Sequence, residues 1–411
     1  MNPDFDIAVI GGGPAGTTAA AILAADGRKV AIFEHRVFPR QKVCGEFVSI
    51  GARPVLRQLG VLAKFDAVAG PEIRRMAALP QNGRILECTL PADAHGCHAR
   101  ALCRARFDNL LMQNAKSSGV TVFQPAHVDR IEPVATGGFS IFSRQCGEIS
   151  AGKVIMADGK ANSSLALPAV DKIKTAASGH ELLNTSYLGY KAHFRDCDMP
   201  DDLTVIAGGP EIYAGLLRTS DLCHDTNEQI AGNRGKAEAP TYNMAFAVRQ
   251  LQAAEHSGPD DLLAYLFKFN PGLKRIMRRA RRESAWFACG PMRPGVRRLY
   301  ANGLFYAGNA AGEVHALVGE GMTLALRSGR LLAGEFMAGM AAGKGDAEIA
   351  KNYQSAWRTE FTGRLDAGNL FSNLLMRPMA GNIAADAFNC FPELLHAAVR
   401  FSGKAASRQA G

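Results

Sequence analysis

The apolar positions of this chain follow two different rhythms. Near the start, Phe5-Asp6-Ile7-Ala8-Val9-Ile10 is a short run of branched and aromatic residues that gives way at once to Gly11-Gly12-Gly13-Pro14-Ala15-Gly16 and then to the helix formers Ala19 to Ala25. Run length and glycine punctuation predict strand, tight turn, helix. A second strand, Lys29-Val30-Ala31-Ile32-Phe33, follows, and further buried strands are predicted at 120–123, 153–156 and 304–307. In the middle of the chain the rhythm changes. Segments 187–194, 203–206, 212–217 and 244–248 read as strands separated by polar loops, which suits an antiparallel sheet better than further strand-helix-strand units. Residues 341–411 read as helices, with Pro378 and Pro392 as breakers. The stretch 391–401 is amphipathic and is expected to pack on the protein, membrane contact being the less favoured reading.

The glycine turn carries the first chemical signal. Gly11, Gly13 and Gly16 have GxGxxG spacing between a strand and a helix: the first permits the turn, the second admits a pyrophosphate to the backbone, and the third lets helix lie on strand. Free amides at the helix N-terminus then face the phosphates. Glu34 closes the second strand 18 residues beyond Gly16, where a carboxylate accepts from ribose hydroxyls and repels a 2′-phosphate. The segment 7–25 holds no charge, yet Asp4 and Asp6 precede it and Gly11 to Pro14 interrupt it, which argues against a signal peptide or a membrane anchor.

Composition bounds the rest. At 411 residues with 47% hydrophobic and 21% charged positions, the chain is long enough for two or three domains, and disorder, collagen and coiled coil are excluded. The nine cysteines form no CxxC pair and no Cys/His metal spacing, so no metal site is expected and a reducing cytoplasm fits best.

Four ordered motifs give the sequence a family likeness. Beside the first glycine turn stand Pro39-Arg40-Gln41-Lys42-Val43-Cys44-Gly45-Glu46-Phe47, then Ala157-Asp158-Gly159, then Gly308-Asn309-Ala310-Ala311-Gly312 leading to Gly319-Glu320-Gly321-Met322. Together these resemble the FAD-dependent oxidoreductases of the para-hydroxybenzoate hydroxylase fold, and within them the geranylgeranyl reductase and FixC-like branch. The resemblance implies an α/β (α+β overall) architecture: a Rossmann-like FAD-binding domain of glutathione-reductase type, an inserted mainly antiparallel substrate domain and a helical C-terminus. Its expected bounds are 1–75, 96–170 and 286–340 for the FAD domain, 76–95 and 171–285 for the substrate domain, and 341–411 for the C-terminal region.

The resemblance also implies the cofactor contacts. Gly11, Gly13, Pro14, Ala15, Gly16, Glu34, Arg40, Lys42, Cys44, Gly45, Arg104, Val128, Asp158, Gly308, Asn309, Gly321 and Met322 are expected to hold FAD. Asn309 and Ala316 replace the family's Asp and Pro, and the Ser and Arg that usually follow Asp158-Gly159 are displaced or missing at Asn162, Ser163 and Leu165. Arg104 can equally be a surface charge, and Asp158 an ordinary polar turn.

Cys44 is a candidate proton donor or flavin-tuning thiol, with a small buried apolar residue as the competing reading. Glu46 is a candidate general acid or base if burial raises its pKa. Lys191 and His193 share one strand face, where they either meet an anionic or carbonyl substrate or lie on the solvated side. Polyprenyl substrates are disfavoured because Tyr213-Ala214-Gly215-Leu216-Leu217-Arg218 stands where such reductases carry a Trp- and Pro-containing segment. Halogenation is disfavoured because the only tryptophans are Trp286 and Trp357, with no WxWxI segment.

No second GxGxxG turn in a strand-helix setting marks a separate NADPH domain, so electrons are expected from transient NAD(P)H, a protein donor or the substrate. Three functions stand: a reductase or dehydrogenase acting on a carbon–carbon bond of an apolar or carrier-bound small molecule, a flavin-dependent monooxygenase, and an electron-transfer flavoprotein. The net charge of +9 is concentrated. Lys274, Arg275, Arg278, Arg279, Arg281, Arg282, Arg293, Arg297 and Arg298 stand against one acid, Glu283, in 274–298. This segment is either a solvated helix face or a dock for an acidic carrier or redox partner; nucleic acid is not expected.

Overall fold

A computed structural model describes residues 3–81, 83–159, 186–220 and 240–377. The motif positions Asn162, Ser163 and Leu165, the breakers Pro378 and Pro392, and the amphipathic stretch 391–401 lie outside the described residues.

The first sheet grows around Phe5–Ile10, whose side chains from Ile7 onward are buried on both faces, as expected for a central parallel strand. It pairs in parallel with Val30–Phe33 on one side and with Gly147–Met156 on the other. Thr121–Phe123 and Leu304–Tyr306 extend the sheet, again in parallel. The uncharged segment 7–25 is thus the second half of this strand, the glycine turn and the helix Pro14–Ala25, not a membrane span. No helix among the described residues is long and apolar enough to cross a membrane.

The helix Gly321–Ala341 lies against Pro14–Ala25, and glycine permits the approach: a Cβ at Gly308 would sit 2.8 Å from the Ala15 Cβ, and one at Gly329 would strike the Ala15 carbonyl. The long helix Asp346–Met376 fastens this corner. Its Tyr353 hydroxyl donates to the Tyr306 carbonyl at 2.6 Å, and its fully buried Trp357 donates to Ser328 Oγ at 3.3 Å.

The second sheet is mainly antiparallel, as the mid-chain rhythm predicts. Tyr187–Arg195 pairs with Tyr242–Arg249, which pairs with Ile212–Arg218 and then Leu203–Gly209. Arg75–Leu79 joins in parallel and brings Leu86–Thr89 with it. Phe287–Met292, inside the third stretch expected for the FAD domain, pairs with Tyr187–Arg195 and so belongs to this sheet. Alternation splits the sheet's two faces. Ala192, Phe194, Val205, Leu216, Met244 and Phe246 pack beneath the helices Pro259–Phe269 and Pro271–Ile276. The opposite parity turns toward the first sheet, in register rows: Gly189, Ala247 and Tyr213; then Lys191, Ala245, Gly215 and Ile206; then His193, Asn243, Leu217 and Thr204.

Candidate functional site

The glycine turn forms the first part of the site. Gly11 has φ +106°, and a Cβ there would lie 2.5 Å from the Ala157 oxygen, so only glycine fits. A Cβ at Gly16 would run into the Gly11 carbonyl, whereas one at Gly13 would meet nothing within 4 Å. Gly11 and Gly16 therefore serve the turn, and Gly13 leaves open space in front of it. The helix Pro14–Ala25 starts with no side-chain cap and no acid in its first turn, so its leading amides stay available to an anion.

Glu34 lies at the bottom of the adjoining groove. Its carboxylate accepts from the Gly12 amide and the Arg36 amide, each at 2.9 Å. Burial pushes its pKa up, but His35, Arg40 and these two amides prevail and hold it at about 2. Two amide bonds and the His35 Nδ1 contact at 3.2 Å leave the carboxylate with acceptor capacity for a ribose hydroxyl. Asp158 faces the same groove with Oδ1 unpaired among the described residues; burial raises its pKa to about 6, against the pull of Lys42 and Arg297. Val128 lines the groove beside Ala126 and His127.

The groove continues as a slot walled by Gly13 to Ala15, by Lys42 to Phe47, by Gly308 and Asn309, and by Gly321 and Met322. Gly321 and Met322 open a second helix that has no side-chain cap. Two uncapped helix starts, an open glycine and a buried ionised carboxylate fit a dinucleotide diphosphate with a ribose at one end and a ring system at the other. These residues would hold FAD. The expected contact residues fall along this path, with Gly11 and Gly16 as turn formers, Arg40 in the lining of the groove and Arg104 in that of the slot. Arg104 is no surface charge. It is 5% exposed and grips Asp108 with two bonds at 2.8 and 2.6 Å, while also touching the Cys44 thiol. Arg40 lies over the Phe38 ring and meets the same Asp108 at 3.4 Å, so Asp108, which the sequence reading missed, joins two expected cations. An acid four residues after Arg104 on a helix was the available signal.

The three residues expected to be catalytic divide. Cys44 is half-buried on the slot wall, and its Sγ accepts the Glu46 amide at 3.3 Å. Glu46 and Lys191 are both fully buried and paired with each other. Glu46 also accepts from Thr219 Oγ1 at 2.9 Å and meets His193 Nε2 at 3.2 Å. Burial alone would raise its pKa, which the role of general acid requires; the charges of Lys191 and His193 outweigh burial and hold it well below the carboxylate range. Glu46 is therefore a permanent anion. Lys191 and His193 are not on a solvated face, because that anion draws both inward. Lys191 Nζ also donates to Gln41 Oε1 at 3.0 Å, and Asn243 Nδ2 donates to the Cys44 carbonyl at 3.1 Å. The second sheet thus grips the strip 41–46 from behind. Asn243, in a strand, and Thr219, just past the end of one, were not anticipated, since a single neutral polar residue carries no pattern of its own.

Beside this slot lies an apolar slot against the second sheet, with Gly189, Gly215, Ala245 and Ala247 as floor and Ile206, Tyr213, Leu217, Met292 and Leu317 around it. No Asp, Glu, Lys, Arg or His lines it. Val43, Cys44, Gly45, Phe47, Ala316 and Gly319 border both slots. Neither tryptophan reaches either slot: Trp286 packs with Phe246 and Arg282, and Trp357 lies under Gly312.

Comparison with known proteins agrees with this geometry. Residues 4–162 match the family model described as FAD binding domain. Conditioned medium factor receptor 1 of Dictyostelium discoideum is 23% identical over 98% of this chain and 74% of its own length. Digeranylgeranylglycerophospholipid reductase 1 of Methanopyrus kandleri is 26% identical over 90% of this chain and 91% of its own. The 1H-pyrrole-2-carbonyl-[peptidyl-carrier protein] chlorinase of Pseudomonas fluorescens is 31% identical, but over only 38% of this chain and 40% of its own. Among solved structures, the flavin-dependent brominase Bmp2 superposes with a TM-score of 0.73 at 17% identity, covering 98% of this chain and 94% of that one, a likeness of fold. The chain carries an FAD-binding domain over residues 4–162 and is an FAD-dependent oxidoreductase, and its overall fold is one that solved structures of a flavin-dependent halogenase, a geranylgeranyl reductase-like protein and an FAD-dependent monooxygenase also adopt.

Proposed function

We propose that the enzyme reduces or dehydrogenates a carbon–carbon bond in an apolar or carrier-bound small molecule. The shared wall carries this reading: a substrate in the apolar slot meets the flavin slot across a border whose one ionisable side chain is the Cys44 thiol. A slot without charged side chains favours an apolar bond and disfavours a charged substrate. FAD, when bound, supplies the two-electron chemistry. The chain's own residues exclude water with the walls of Ile206, Leu217 and Leu317, orient the substrate on the glycine and alanine floor, and hold a proton at Cys44 Sγ. Glu46 and Lys191 act on the strip that carries Cys44 and not on the substrate.

The electron donor in this reading is transient NAD(P)H or a protein. The basic segment supports a charged partner more narrowly than its sequence suggests. Arg281, Arg282 and Arg297 are paired with Asp196, Asp260 and Glu313. Lys274, Arg275, Arg278 and Arg279 are exposed, and no carboxylate pairs with them among the described residues. An acidic carrier or redox protein would dock there. The chlorinase relative, whose substrate is carrier-bound, is consistent with that choice.

The test is turnover without oxygen. The FAD-loaded enzyme, given reductant with a panel of alkenes, or an electron acceptor with their saturated counterparts, should form product under argon. Strict dependence on oxygen would make it a hydroxylase, and activity only with artificial acceptors or a protein partner would make it an electron-transfer flavoprotein.

A further inference from the structure

A further cavity, of about 380 Å³, lies between the helix Arg53–Gln58, the helix Gly321–Ala341 and the loop at 93–95, and it shares no residue with the groove or with either slot. Its size is that of a small-molecule site. Each of the two helices carries a pair of arginines on one face. Arg53 and Arg57 stand four residues apart on the first, and Arg327 and Arg330 three apart on the second, a spacing at which like charges repel.

The inner member of each pair is buried and neutralised. Arg53, 5% exposed, donates to the two oxygens of Asp66 at 2.8 and 3.0 Å and to Asp93 Oδ2 at 2.9 Å, and Arg327, 6% exposed, is paired with Glu360. The outer members are not neutralised. Arg57 is exposed, Arg330 is half-buried, both line the cavity, and no carboxylate pairs with either among the described residues. The acids nearby have no charge to spare. Asp66 serves Arg100 as well as Arg53. Asp93, the one acid in the lining, accepts from the His95 and Cys97 amides at 2.8 and 3.0 Å through Oδ1 and from Arg53 through Oδ2. Behind Arg327, Glu320 and Glu360 face a second cation, Arg364. The cavity is therefore left with two uncompensated guanidiniums, and beside them Ile50, Pro54 and Val55 offer an apolar wall.

We infer that this cavity binds the phosphate of a small organic phosphate monoester, held by Arg57 and Arg330, with its organic part against Ile50, Pro54 and Val55. The guanidinium fork matches phosphate oxygens bidentately. A monoester brings about two negative charges at neutral pH, which balances both arginines, whereas a carboxylate or a phosphodiester brings one. The ligand is distinct from FAD, because the cavity has no residue in common with the groove and slot that fit the dinucleotide.

The experiment uses the FAD-loaded protein, so that the dinucleotide site is filled, with phenyl phosphate and methyl phenyl phosphate as probes. At about pH 8 the first is a dianion and the second a monoanion of nearly the same shape. Calorimetry in about 150 mM salt, which screens exposed charges, should show one phenyl phosphate per chain, bound about tenfold more tightly than methyl phenyl phosphate and without release of flavin. Arg57→Gln and Arg330→Gln should each weaken phenyl phosphate about tenfold and narrow the preference, and Arg330→Lys, which keeps the charge, should recover part of the loss. Arg278→Gln/Arg279→Gln, in the exposed basic segment, should bind phenyl phosphate as the wild type does. Absence of saturable binding, equal affinity of the wild type for both probes, or unchanged affinity in both Arg57→Gln and Arg330→Gln overturns the site. Release of flavin by the probe, or loss of affinity in Arg278→Gln/Arg279→Gln, puts the anion elsewhere and overturns it equally.

Discussion

Lys191→Met tests whether the second sheet holds the cofactor strip through a buried charge pair. The perturbation removes a fully buried cation from a fully buried carboxylate, leaving Glu46 with Thr219 at 2.9 Å and His193 at 3.2 Å. Breaking a buried pair by deleting one partner costs about 3–5 kcal/mol, because the remaining charge stays desolvated. Lys191→Met/Glu46→Gln, which removes both charges, should recover much of the loss, with a coupling of about 2 kcal/mol in the double-mutant cycle. Denaturant unfolding of the four proteins at pH 7 measures it. The pH dependence adds a second, signed readout. In the wild type the folded pKa of Glu46 lies below the ordinary 4.5, so its contribution is present above that value and is lost as pH falls through the folded pKa. In Lys191→Met burial gains ground and the folded pKa rises, so that variant loses stability as pH climbs. The gap between the two should widen from pH 5 to pH 8. A Lys191→Met protein within about 0.5 kcal/mol of wild type, or strictly additive mutations, would refute the reasoning.

Three further outcomes follow from named contacts. Gly13→Ala adds a Cβ into empty space and should fold normally but lose FAD, whereas Gly11→Ala forces a contact at 2.5 Å and a strained φ of +106° and should also lower the melting temperature of the apoprotein; equal FAD content in Gly13→Ala and wild type would refute this. Gly215→Phe should keep the flavin spectrum and abolish turnover by filling the apolar slot, which flavin titration and steady-state kinetics separate. Asp158, raised to about 6 by burial, costs the apoprotein stability as pH rises from 3.8 through 6, so Asp158→Asn should stabilise it fully at pH 8 and only about half as much at pH 5, by thermal unfolding.

The first half of the cofactor site is legible in the sequence because its chemistry is local. Gly11, Gly13, Gly16 and Glu34 are fixed by one turn and the strands on either side of it, so spacing alone specifies their geometry. The late turn at Gly308 is also local, yet the helix that fastens it through Trp357 and Tyr353 lies more than 40 residues on and reads only as a helix. The second sheet shows the limit most clearly. Period-two alternation correctly puts Lys191 and His193 on one face but says nothing about what that face meets. Its partner, Glu46, is 145 residues away and lies at φ +61° in a loop, a conformation that no strand or helix pattern announces.

The register rows explain how one sheet face can be both ionic and apolar. At the Tyr187–Arg195 side, Lys191, His193 and the neighbouring Asn243 reach the strip 41–46 and are consumed in holding it. Toward Ile212–Arg218 and Leu203–Gly209 the same rows continue as Ala245, Gly215, Ile206 and Leu217, which have nothing polar to offer and form the slot. The charged half therefore positions Cys44 and Gly45, and the uncharged half positions whatever lies against them. Because both halves belong to the same strands, a shift of the sheet moves the strip and the floor of the apolar slot together. Substitutions in the ionic half should for that reason alter cofactor affinity and turnover jointly, and those in the apolar half should alter turnover alone.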